Sequence, residues 1–220
     1  GEIARLHDIA KSGRVSPEDM AGMMLLEGRI AAGLDRVYRK TFDELESRGL
    51  FENVGLLGLK LWVGPGAELA LRWAESLSKA HPSLRIFAGG PLATLQPRAL
   101  LEKHACLDAV CVGPGEDAIV GLAEFCEGQR ELSTIPNLVI RESRTIVETE
   151  SRAPDIRATP FPLYAPEVYP AMARERDEKL PVLCIDESRG CPMDCHFCAH
   201  ASFSGSSWRH RSAEQIVAEM

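Results

Sequence analysis

Apolar positions in the first 50 residues recur at helical spacing, and beyond them the pattern changes to short apolar runs. The opening stretch, residues 1 to about 50, reads as helical with a break near Ser12-Gly13. A restart follows at Ser16-Pro17-Glu18, with Ser16 as N-cap and Pro17 at the first helical position. Met20, Met23, Met24, Ile30, Leu34, Val37, Tyr38 and Leu45 then share the period of a helix face. The methionine stripe is expected to be core, because the thioether is a gap-filling hydrophobe. Val54 to Val63 is nearly continuous apolar sequence and predicts a buried strand. A helix is expected over Ala67 to Ala80, a second strand over Leu84 to Ala88 and a helix over Pro97 to His104. A third strand is expected over Leu107 to Val112 and a helix over Asp117 to Glu127. Strand–helix alternation with short glycine-bearing turns predicts a right-handed parallel α/β unit.

Ligands of such sheets bind at the carboxyl ends of the strands. Those ends carry Gly64-Pro65-Gly66, Gly89-Gly90 and Gly113-Pro114-Gly115, followed by Glu116. Three turns of this kind on one edge let backbone approach a large flat or phosphate-bearing ligand. No Gly-x-Gly-x-x-Gly opens a helix, so an ordinary dinucleotide fingerprint is absent. Three strands make a thin sheet, and the opening helix reads as the crossover after an earlier strand; the chain is expected to begin part-way through the α/β domain.

Residues 137–150 predict a β-hairpin around Glu142-Ser143-Arg144. Pro154, Pro160, Pro162, Pro166 and Pro170 then mark an extended linker, since proline fixes φ and removes a donor. After a charged patch, Arg174 to Lys179, the apolar run Leu180 to Ile185 predicts a strand feeding a cysteine loop. Ser212-Ala-Glu-Gln215 is a capping-box start to a final helix. The expected division is a helical lead-in over 1–50 and an α/β domain over 51–135. A hairpin and linker over 136–180 and the start of a second domain over 181–220 complete it.

Composition narrows the classes. The chain has 220 residues, 45% hydrophobic, with a net charge of −7. Binding to nucleic acid or to anionic membranes is therefore disfavoured. No apolar run approaches the roughly 20 residues that span a bilayer, and the first residues lack a signal-peptide pattern. Seven cysteines with three clustered imply reduced, metal-binding thiols and a cytoplasmic setting rather than a disulfide scaffold. Cys106, Cys111, Cys126 and Cys184 lie in apolar surroundings and read as core packing.

The chemistry concentrates in Glu187-Ser-Arg-Gly-Cys-Pro-Met-Asp-Cys-His-Phe-Cys198. Cys191, Cys195 and Cys198 are too close for a disulfide framework, but can wrap one zinc, copper(I) or iron–sulfur centre. A structural zinc site wants four protein ligands, for which His196 or His200 is available. Three thiolates on a cubane leave one iron free for a substrate or cofactor.

Strand, Cys191-x-x-x-Cys195-x-x-Cys198 and helix, with Ser188-Arg189-Gly190 and Phe197, resemble the radical S-adenosylmethionine (SAM) superfamily. The resemblance implies a [4Fe-4S] cluster held by the three cysteines, SAM on its free iron, and Phe197 near the adenine. Gly89-Gly90-Pro91-Leu92-Ala93-Thr94 and Asp108 to Glu116 resemble the cobalamin-binding domain of one large subgroup. There the pattern is Gly-Gly-Pro-His-Ala-Thr and Gly-Glu-Gly-Glu, so Leu92 and Pro114 are departures. The Asp-x-His-x-x-Gly that gives other cobalamin proteins an axial histidine is absent, its expected place lying before residue 1.

The implied fold is α/β: a partial Rossmann-like (flavodoxin-like) cobalamin-binding domain, then the start of a radical SAM partial TIM barrel. The implied cofactors are the [4Fe-4S] cluster, SAM and cobalamin. Gly64, Gly66, Gly89, Gly90, Gly113, Gly115 and Glu116 would form the cobalamin edge. The implied activity is that of an enzyme: reductive SAM cleavage, hydrogen abstraction and methyl transfer to an unactivated carbon. A small-molecule or peptide substrate and an electron donor such as flavodoxin or ferredoxin would be its partners. Ring closure or rearrangement with cobalamin, a structural zinc knuckle and a non-catalytic corrinoid module are the alternatives. Arg209, His210 and Arg211 fit either a small anion site or a solvated helix entry.

Overall fold

The computed structural model describes residues 15–162, 185, 187–198, 200, 203 and 205–219. Helix α1, Pro17–Ser47, starts as predicted: the Ser16 side chain accepts from the Asp19 backbone, and the Asp19 carboxylate accepts from the Ser16 backbone. Its methionine stripe is not core. Met20, Met23, Met24, Leu25 and Ile30 are exposed, and no residue of the helix is buried. The reason is reach: the aromatic anchors of α1, Tyr38 and Phe42, lie in its second half and pack on Trp73, with Phe42 also stacked on Phe51.

Strand β1, Leu56–Lys60, is shorter than the apolar run that predicts it, because Leu61 to Gly64 turn into helix α2, Pro65–Ala80. Strand β2, Arg85–Gly89, leads through Gly90 into a short helix α3, Pro91–Leu95, which the sequence pattern does not announce. Helix α4, Pro97–Lys103, strand β3, Ala109–Cys111, and helix α5, Glu116–Cys126, follow in the expected places. β1, β2 and β3 are parallel neighbours.

The sheet is mixed rather than purely parallel. The predicted hairpin forms strands β4, Leu138–Glu142, and β5, Thr145–Glu148, and β4 pairs antiparallel with β3. The order is β1-β2-β3-β4-β5, so the hairpin supplies the width that three strands lack. Arg141 fastens it from behind, its guanidinium donating to the carbonyls of Leu101 and His104 at the end of α4 and of Leu107 in the connection to β3.

Both faces of the sheet are covered, which is why its strands read as unbroken apolar runs. On one face Ile86, Ala88, Val110 and Val139 pack with Ala74 and Leu77 of α2 and Leu101 of α4. On the other, Phe87, Ala109 and Cys111 pack with Ala118 and Leu122 of α5. Consecutive β2 residues thus serve opposite faces, as a period of two requires.

Asn137, buried and left-handed at φ 62°, ties this sheet to the chain beyond it. Its amide donates to the Pro114 carbonyl at 3.0 Å and the Arg152 carbonyl at 2.7 Å, while its oxygen accepts from the Arg152 backbone at 2.7 Å. Asn137→Ala leaves those buried groups unpaired and is expected to cost about 2–3 kcal/mol in denaturant unfolding.

Past the linker, Ser188–Arg189 (β6) and Arg209–His210 (β7) form a two-stranded antiparallel ribbon around the cysteine loop. Helix α6, Ala213–Glu219, opens on the predicted capping box between Ser212 and Gln215. The predicted strand over Leu180 to Ile185, the charged patch from Arg174 to Lys179, the break at Ser12-Gly13 and Cys184 lie outside the described residues, apart from Ile185 itself.

Candidate functional site

The carboxyl ends of β1, β2 and β3 are stitched together through Leu61 and the second and third glycine turns. Leu61 donates to the Gly89 carbonyl at 2.8 Å, and Leu92 to the Leu61 carbonyl at 3.1 Å. Thr94 accepts from the Gly113 backbone at 3.0 Å. Gly90, at φ 92°, has the Leu61 carbonyl 2.9 Å from where a Cβ would stand, so no side chain fits there. Gly113 sits at φ 75° in the turn that Thr94 holds.

Behind this edge lies a cleft of about 280 Å³ between the sheet and α5. Gly58, Gly89, Gly90, Gly113 and Gly115 contribute backbone to its wall, and Phe87, Cys111, Ile119 and Leu122 contribute apolar side chains. The hollow exists because residues that would fill it lack side chains: a Cβ on Gly58 would meet nothing within 4 Å. Lys60 reaches the cleft from β1 and also stands 5.4 Å from the ring of Trp62, which is 62% exposed at the same edge.

Of the sequence-predicted edge residues, Gly89, Gly90, Gly113 and Gly115 line the cleft. Gly64 caps the start of α2 and Gly66 lies in its first turn, both open to space and outside the cleft lining. Glu116 opens α5 and faces away to Arg189. Gly58, Lys60, Trp62 and Ile119 are additions. A glycine inside the predicted strand Val54–Val63 is the available signal for Gly58, since interior strand glycines often mark a close approach. Exposure of Trp62 and Ile119 has no signature in a linear pattern.

Cys111 sits at the floor of the cleft, and burial, reinforced by the Glu116 charge, pushes its thiol up to about 11. Burial also raises the thiols of Cys106 and Cys126. Cys111 is buried, and Cys106 and Cys126 pack partly buried against the core, where a raised thiol is a poor nucleophile. A thiol raised in the folded state stabilises it below the unfolded value near 9, and that contribution is lost as pH climbs towards 11. Wild type should therefore lose about 2–3 kcal/mol over that interval that Cys111→Ala does not, as measured by urea melts at each pH.

The cysteine loop is set by Gly190, at φ 84°, where a Cβ would overlap the Ser207 carbonyl. The Cys191 backbone donates to the Gly205 carbonyl at 3.1 Å, and the Cys198 backbone to the Cys195 carbonyl at 3.0 Å. Cys195 and Cys198 are exposed and Cys191 is half-buried. Phe197 is 93% exposed, and His196 and His200 are exposed on the same loop. Among the described residues no three His, Cys, Asp or Glu side chains converge on a metal-sized point. Three soft thiols on one open loop suit a cluster, and with His196 or His200 they would also suit zinc. Arg209 donates to the Pro154 carbonyl and Arg211 to the Thr159 carbonyl, so both bind the linker.

The edge and its stitched turns define a class. Residues 34–123 match the family model of the B12 binding domain. Relatives and a solved structure point the same way: the chain is similar to cobalamin-dependent radical SAM enzymes. It is 28% identical over 149 residues to an uncharacterized methyltransferase of Pyrococcus horikoshii, covering 67% of this chain and 32% of the relative. It is 27% identical over 154 residues to the cobalamin-dependent radical SAM methyltransferase TokK of Streptomyces tokunonensis, covering 68% of this chain and 23% of the relative. The fold matches the cobalamin-dependent SAM radical enzyme OxsB, solved with aqua-cobalamin and SAM bound. The TM-score is 0.67 at 19% identity, over 81% of this chain and 24% of that one. The chain thus spans about a quarter to a third of the length of these proteins. No helix among the described residues is long and apolar enough to cross a membrane.

Proposed function

We propose that this chain serves a cobalamin-dependent radical SAM enzyme that transfers a methyl group to an unactivated carbon of a small-molecule or peptide substrate, with a flavodoxin or ferredoxin as electron donor. The observation that carries the reading is the glycine-walled cleft on the carboxyl edge, with the cysteine loop anchored beside it through Glu116 and Arg189. The matches to methyltransferases support the reaction class.

Cobalamin is a broad macrocycle with amide arms and a nucleotide tail, and a cleft of about 280 Å³ holds only part of it. The stitched turns offer backbone at close range to the rest, and exposed Trp62 and Ile119 offer apolar surface for a flat face. Gly90 and Gly113 keep side chains off that approach. Cys191, Cys195 and Cys198 would hold the cluster as thiolates, drawn together from the open loop, and Phe197 is free to cover the adenine of SAM. When bound, these cofactors supply the radical and the methyl group. The chain's own residues position them and exclude solvent.

Replacing Cys191, Cys195 and Cys198 together by alanine should abolish iron and sulfide binding after anaerobic reconstitution. Corrinoid affinity should stay within about twofold, since the cleft and the cysteines are separate structures. Stoichiometric zinc in place of iron, or full function without the cysteines, would sink the enzyme reading.

A further inference from the structure

Glu116 is the point where the two halves of the site touch. Its Oε1 lies 3.3 Å from Nη2 of Arg189, two residues before the first cluster cysteine, and both side chains are mostly shielded from solvent. Its Oε2 is also buried, without a hydrogen-bond partner among the described residues. A carboxylate that merely favoured the start of α5 would be free to turn to water. This one is instead held against a guanidinium 73 positions away.

The contact closes a circuit. The Pro114 carbonyl, in the third glycine turn, is held by Asn137, and Asn137 binds both backbone groups of Arg152. Two residues on, the Pro154 carbonyl accepts from Arg209 at 3.2 Å. Arg209 stands directly across the β6–β7 ladder from Arg189. Arg189 returns to Glu116, two residues from Pro114. Two guanidiniums paired across a ladder repel unless each meets an acceptor. Here one meets the Glu116 carboxylate and the other the Pro154 carbonyl.

We infer that Glu116 is a positioning residue: acting through Arg189, it sets where the cysteine loop stands relative to the glycine-walled cleft. The inference rests on the proposed two-cofactor function, and it reassigns Glu116 from a cofactor contact to the clamp between the two cofactor sites. Radical and methyl donor must meet one substrate carbon, and a misplacement of about 1 Å can cost about 100-fold in rate.

The test compares wild type with Glu116→Gln, Glu116→Asp and Arg189→Gln. In the cofactor-free chain, trypsin cleavage after Arg152 and Arg157 reports opening of the linker that the circuit holds. All three variants should be cut about tenfold faster, with corrinoid affinity unchanged within about twofold. Aspartate is the discriminating case: it keeps the charge at the start of α5 but is one methylene too short to reach Arg189. Aspartate behaving like wild type would reduce Glu116 to a helix-end charge and overturn the clamp. Arg189→Gln tests the same contact from the other side, should a change at 116 disturb α5. In chains loaded with both cofactors, the dipolar coupling between cob(II)alamin and the reduced cluster should be sharp in wild type and broadened in the variants. Wild type that loads neither cofactor would sink the functional reading, with the trypsin result still deciding the clamp. Loaded variants matching wild type in both measurements overturn this inference alone.

Discussion

Under the proposed function, Gly190→Ala is expected to abolish iron–sulfur loading of the cysteine loop while leaving the α/β sheet folded. Residue 190 holds φ 84°, and an added Cβ would overlap the Ser207 carbonyl, which is backbone and cannot swing aside. The left-handed conformation alone costs a residue with a Cβ on the order of 1–2 kcal/mol, and the overlap adds to it. The ribbon of β6 and β7 has two residues a side, so it has little to set against that cost. Iron and sulfide after reconstitution should fall by about tenfold or more, and amide exchange over residues 188–210 should rise. The melting temperature of the sheet should stay within about 2 °C, because none of its core clusters includes the ribbon. Wild-type iron content in this variant would show that the loop binds without the geometry described.

Gly58→Val is expected to do the opposite, abolishing corrinoid binding and sparing the cluster. Gly58 pairs with Phe87 across β1 and β2, and its missing side chain would point into open space in the cleft. Valine suits a strand, and removing a strand glycine recovers about 0.5–1 kcal/mol, so the variant should be at least as stable as wild type. Its two methyl groups occupy the volume that the ligand needs. Corrinoid affinity should drop by about 100-fold, or about 2.7 kcal/mol. A more stable protein that binds corrinoid normally would place the ligand elsewhere.

Much of this was legible in the sequence because the physics is local or periodic. Apolar runs covered on both faces read as strands, and capping boxes at Ser16 and Ser212 mark helix starts without tertiary context. The glycine turns were visible for the same reason: a positive φ such as that of Gly90 demands a particular residue type. What escaped depended on distance in space. The methionine stripe of α1 has the period of a buried face, yet periodicity does not say whether a partner reaches that far along the helix. The hairpin is legible in the sequence, but its pairing with β3 rests on Asn137 and Arg141 reaching Pro114 and His104, 23 and 37 positions away. Glu116 reads in the sequence as a cofactor-edge or helix-end residue, and its contact with Arg189, 73 positions away, has no linear signature. Gly58 was hidden within a strand that otherwise reads as ordinary core.

The proposed function has one chain bring a corrinoid cleft and a three-thiolate cluster loop together. It is tested most directly by anaerobic reconstitution with iron, sulfide and hydroxocobalamin, followed by gel filtration and analysis of the protein peak for iron, zinc and cobalt. Iron and sulfide at the ratio of a [4Fe-4S] cluster are expected together with one cobalt per chain, neither displacing the other. Zinc in place of iron, or a protein peak without cobalt, would contradict it.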